Sequence, residues 1–214
     1  MDRRSGVAAF AAGAMVILAA LAGCGPGTEK LRAQLDPVVA KITDRVKAAA
    51  ALTGGQPAAT IARTTELLTD LAGLGADLKA LYVEGEKQQA LVAAGQAYLS
   101  ATHRFVTSQQ EFARAYARLE AARAKVRESL EAKVRTSKFS MDFWKETHDR
   151  LVVDLDKVRK DVEKARDQLA AATSSMEQAA DAAGSALGRE AVLPKGALDA
   201  HRKAMDAVPL AKGA

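Results

Sequence analysis

One pattern limits what this chain can fold into more than any other. Trp144, His148, Leu151, Leu155, Val158, Val162, Ala165, Leu169, Ala172, Met176, Ala179 and Ala183 alternate steps of four and three without a miss. A repeat averaging about 3.5 residues holds one narrow face of an α-helix against a partner over many turns. A strand, with its period of about two, does not produce it. A second repeat of seven precedes it in Leu91, Tyr98, Phe105, Phe112, Leu119 and Val126. Three positions beyond each lies a small residue: Ala94, Ala101, Ser108, Ala115, Ala122 and Ser129. Large side chains beside small ones let two helix backbones approach while the bulky groups fill the space between. Leu67, Leu71, Leu74, Leu78 and Leu81 form a third narrow line, and Leu31, Leu35, Val38, Ile42, Val46 and Ala49 a fourth. The expected fold class is all-α: an extended antiparallel helical hairpin, or coiled-coil-like bundle, of three to four long helices.

Breaks in the pattern divide the chain. Thr53-Gly54-Gly55-Gln56-Pro57 stops the first helix, and Pro57 suits the first turn of the next, where its missing N–H costs nothing. The seam changes phase near Gly85, where a kink and a turn fit equally well. A second phase change at Thr136-Ser137-Lys138-Phe139-Ser140 reads as a hairpin turn, with Ser140 capping the following helix and Asp142 in its first turn. The helices flanking that turn would each span roughly 65–75 Å. The expected helical bundle occupies residues 28–184, and a mobile C-terminal segment 185–214, with at most one short helix between Pro194 and Pro209.

Composition agrees by exclusion. The hydrophobic share of 49% is too high, and a net charge of +5 with 27% charged residues too balanced, for a disordered chain. Aromatics make up only 4%, and Ala supplies much of the apolar share, so the core is thin and a β-sandwich is disfavoured. A lone Cys leaves no disulfide framework and no all-Cys zinc site.

Motifs for chemistry are missing. A di-iron bundle needs Glu-x-x-His on two helices, but Ser100, Lys145 and Leu198 stand three residues before the three histidines. Neither a His-Glu-x-x-His helix nor a haem-attachment motif occurs. Gly73-Leu74-Gly75 lacks the strand and third glycine of a dinucleotide loop, and Gly184-Ser185-Ala186-Leu187-Gly188 is no nucleophile elbow. No catalytic activity, cofactor or metal is expected. His148, on the seam one turn after Trp144, reads either as a partly solvated histidine bonded to a neighbour or as a pH-sensitive contact. His103 and His201 have no patterned partner.

The N-terminus reads as a targeting segment. Arg3 and Arg4 precede an apolar stretch from Val7 to Ala20, and the uncharged run from Ser5 to Gly23 approaches the roughly 20 residues of a membrane-spanning helix. Leu21-Ala22-Gly23-Cys24 resembles the lipobox of bacterial lipoproteins at all four positions, and it holds the only Cys. The resemblance covers about a tenth of the chain. It implies a signal peptide over 1–23, cleavage before Cys24, acylation there (palmitate-type chains), and a soluble body on a short tether, 24–27. Gly25 takes the position at which inner-membrane lipoproteins of enteric bacteria often carry Asp, so the resemblance favours the outer membrane facing the periplasm. Two or three acyl chains, at about 0.8 kcal/mol per buried methylene, hold a protein firmly to a leaflet.

An envelope address excludes nucleic acid as a partner and turns attention to contact surfaces. The hairpin tip carries Phe139, Met141, Phe143 and Trp144 beside a basic flank of Arg123, Lys125, Arg127, Lys133, Arg135 and Lys138, opposed by Glu128 and Glu131. These aromatics either cap the bundle end or dock on a partner or membrane, and the basic flank is either a solvated face or a complement to anionic lipid, lipopolysaccharide or an acidic protein surface. The candidate contact residues are Phe139, Met141, Phe143, Trp144, Arg127, Arg135 and Lys138. The expected function is that of a lipid-anchored spacer, scaffold or adaptor with a protein partner in the envelope. The alternative is a binding module for a lipid or other apolar ligand, which a cavity of a few hundred Å³ lined by Leu, Phe and Met would favour. Replacing Cys24 by Ser should leave the precursor uncleaved and unacylated. Normal maturation of that variant, read by mass spectrometry, would refute the lipobox reading.

Overall fold

The computed structural model describes residues 26–52, 56–133 and 140–208. Within them the chain is all-α, with five helices: α1 (Pro26–Ala50), α2 (Pro57–Lys79), α3 (Glu86–Lys133), α4 (Met141–Leu187) and α5 (Asp199–Asp206). Residues 1–25, which include the expected signal peptide and lipidation site, residues 53–55, and residues 134–139, which include most of the expected hairpin turn at 136–140, lie outside the described residues.

Side-chain bonds fix the directions. Thr43 and Tyr98 share a hydrogen bond of 3.1 Å, and Gln109 Nε2 donates to the Ala49 carbonyl at 2.8 Å, so α1 runs parallel to α3. Gln110 Nε2 donates to Thr65 Oγ1 at 2.7 Å near the start of α2, while Gly75, near its end, faces Leu99. Thus α2 is antiparallel to α3. At the far end of α3, Trp144 Nε1 donates to the Ser129 carbonyl at 2.7 Å, and beyond the other end of α4 Arg189 meets Asp36 of α1 at 2.6 Å. The arrangement is up-down-up-down, and α3 is its spine.

The seams read from sequence form the core. Leu31 to Ala49 on α1, Leu67 to Leu78 on α2, and Leu91 to Val126 on α3 are all buried. Burial stops short of the tip: on α3 only Val126 is buried beyond Leu119, and on α4 no residue before Val162 is. Residues 120–133 and 141–161 therefore form a two-helix stalk projecting from a broader base. With 48 and 47 residues, α3 and α4 run about 70 Å each.

Several expectations need correction. The tether does not reach residue 27, because α1 already starts at Pro26. The break at Gly85 is a turn rather than a kink: α2 ends at Lys79, and Gly85 takes φ +96° before α3 begins. The α4 seam leaves strict heptads in the base, where Thr173 and Ala180 are buried and Ala172 and Ala179 are only half-buried. There α4 meets α1 and the C-terminal segment as well as α3, and the shift lets an unsupercoiled helix keep facing them. Ser140 occupies the N-cap of α4, yet its side chain makes no capping bond.

The largest correction concerns 185–208, which is packed rather than mobile. The α4 helix ends at Gly188 in the left-handed conformation, φ +70°, with Arg189 N donating to the Gly184 carbonyl at 2.9 Å. The chain then doubles back so closely over Gly184 that a Cβ there would lie 3.2 Å from the Val192 nitrogen. Leu193, Leu198 and His201 are buried in consequence. Their signal in the sequence is short: Leu198, His201, Met205 and Val208 follow helical spacing for just under three turns. Replacing Leu198, 1% exposed, by Ala should cost about 2–5 kcal/mol in denaturant unfolding. The same change at Val153, 67% exposed, should stay within about 0.5 kcal/mol.

Candidate contact site at the stalk tip

The stalk tip is assembled around Ser129, one of the small positions of the α3 repeat. Its short side chain lets the Trp144 indole reach the backbone carbonyl behind it, while its own hydroxyl meets His148 Nδ1 at 3.2 Å. Trp144 and His148, one turn apart, stack at 4.9 Å with ring planes 15° apart, and Lys133 Nζ sits 5.0 Å above the indole. That stack adds cation–π and aromatic attraction to the seam. His148 is half-buried and bonded to Ser129.

The tip aromatics therefore divide. Trp144 is half-buried and holds α4 to α3, whereas Phe143 is 75% exposed and points away from the seam. Met141 is half-buried. Of the basic candidates, Arg127 is exposed, Arg123 pairs with Glu120 at 2.8 Å and Lys133 covers Trp144. Phe139, Arg135 and Lys138 lie outside the described residues.

Beside these rings the stalk carries an apolar groove. One cleft of 530 Å³ is lined by Ser129, Ala132, Phe143, Trp144 and Leu151 among others. A second, of 440 Å³, is lined by Ala121, Ala122, Leu151 and Val158 and shares Lys125 and Leu151 with the first. Together they run along one side of the stalk between α3 and α4. Small α3 residues form much of the floor, α4 supplies the larger walls, and charges of both signs, Lys125, Glu128, Asp154 and Asp161, stand along it. This composition suits an amphipathic helix laid in a groove better than a uniformly anionic surface.

A third cleft, of 380 Å³, lies in the base where the α1–α2 turn meets α5, and Leu52, Pro57, Phe112, Tyr116, Met205 and Val208 line it. Phe112 and Tyr116 stack along one wall with centroids 6.3 Å apart. Sequence reasoning missed this cleft because its α5 wall comes from the segment expected to be mobile.

Buried polar groups elsewhere serve packing. Burial pushes the Tyr98 hydroxyl up to about 12, the Thr43 hydrogen bond works against that rise, and the Asp44 carboxylate adds to it. Among the described residues no cluster of three or more His, Cys, Asp or Glu could hold a metal ion, and no helix is long and apolar enough to cross a membrane. No family model, curated protein or solved structure matches this chain. Denaturant unfolding should separate the two tip rings. Phe143→Ser should change stability by less than about 0.5 kcal/mol, and Trp144→Ser should cost about 1–3 kcal/mol by removing the bond to Ser129 and the stack.

Proposed function

We propose that this chain is a lipid-anchored adaptor of the bacterial envelope, working by contact through its stalk and catalysing no reaction. The observation that carries this reading is the polarity of the molecule. Gly27 sits against Gln88, so the start of α1 lies beside the start of α3. Cys24 is two residues upstream of Pro26, where α1 begins. The stalk tip stands at the opposite pole, on the order of 65–70 Å away along α3. An acylated Cys24 would hold the base at a leaflet and hold Phe143 and the groove well clear of the headgroups. Phe143 and the groove supply the apolar anchor and helix-wide trough that protein partners use.

The base cleft supports a second reading, capture of a lipid or other apolar ligand, since its volume and its Leu, Phe and Met lining suit an acyl chain. A photo-crosslinking side chain at position 143, in intact cells, separates the two. Specific protein adducts there, lost when Leu151 and Val158 are both changed to Lys, fit the adaptor. No adduct at 143, together with lipid adducts from position 112, would move the assignment to the ligand carrier.

A further inference from the structure

The most unusual group in the base is His201. It is 2% exposed, and neither ring nitrogen makes a hydrogen bond of ordinary geometry. Its ring meets Phe105 of α3 edge-on at 5.3 Å and 75°. The Ala50 carbonyl of α1 faces it from another side. Arg202, the next residue of α5, is held by Glu177 of α4 and by Asp199 at 3.3 Å. Thus α5 lies across α3 between α1 and α4, attached through one uncharged imidazole, one ion pair, Leu198 and the half-buried Met205 and Val208.

The groups facing the ring decide how it responds to acid. From α3 comes an aromatic edge and from α1 a lone carbonyl. From α4, Glu177 already pairs with Arg202, and Arg202 itself places a positive charge beside the ring. A proton added there would bury a second cation with one weak acceptor, and such burial is costly. Removal from water pushes the His201 pKa down from its ordinary value of 6.5, Arg202 pushes the same way, and only the Ala50 carbonyl opposes them.

We propose that α5 is an acid-released latch, in which protonation of His201 drives residues 199–206 off α3 and exposes the face that they cover. The sign follows from linkage. The docked ring binds protons less readily than the undocked one, so docking is at full strength above pH 6.5 and weakens as pH falls below it. Release also removes the Ala204, Met205, Ala207 and Val208 wall of the base cleft, so acid would dismantle that cleft and leave the stalk intact.

Hydrogen–deuterium exchange on the full chain, corrected for the intrinsic pH dependence of amide exchange, tests this. Protection of the 199–206 amides should fall between pH 7.5 and 5.0 by up to about thirtyfold, the limit for a ring that stays neutral when docked. The 98–119 amides of α3 should keep theirs. His201→Phe keeps the ring and removes the proton site, so its α5 should stay protected at both pH values. Unchanged wild-type protection, or a full acid response in His201→Phe, would overturn the latch. If His201→Phe leaves α5 unprotected throughout, the wild-type imidazole titration by NMR decides: a midpoint below 6.5 supports the latch, and one at or above 6.5 ends it.

Discussion

The structure depends on α3. Its heptad of large residues from Leu91 to Leu119, with small residues three positions on, is a surface that every other helix uses. Helices α1 and α2 pack on its first half, α4 along its length, and α5 through the Phe105–His201 contact. A helix of this length has little reason to persist alone in water, since most helical stability comes from packing an apolar face. Where neighbours surround α3, burial is nearly continuous. Where only α4 remains, burial thins to Val126 and the half-buried rings of the tip.

This one-axis design explains which parts could be read in advance. Long repeats leave a signal that accumulates over many turns, so the α1 and α3 seams, and the α2 seam as far as Leu78, were legible residue by residue. The departures arise where local sequence is overruled by neighbours that are distant along the chain. Ala172 and Ala179 keep the heptad on paper, yet the base recruits Thr173 and Ala180, because α4 there faces several elements at once. The segment after Gly188 looked structureless because its apolar positions are few, with Pro194 and Gly196 among them. It is ordered through the bare backbone of Gly184 and the groove that α1 and α4 leave over α3.

The tip shows the same division. Aromatic density marked the end of the stalk from composition alone, but not which ring holds the helices and which faces outward. The answer lies with Ser129, whose importance comes from its small size at a position opposite Trp144 and His148. A second serine, Ser108, stands in the same row of small residues, so Ser129 carries no mark of that role. His201 is the converse case: a residue with no pattern around it becomes the least solvated imidazole of the three.

The Trp144–Ser129 bond has a mechanical corollary. Two rods packed only by greasy seams can slide past each other in steps of one helical turn, about 5.4 Å, with modest loss. A directional N–H···O bond at the outer end, with the thick base at the root, keys the register at both extremities. Axial slippage is thereby opposed at both ends of the stalk, so the groove between α3 and α4 keeps one fixed pairing of its two walls.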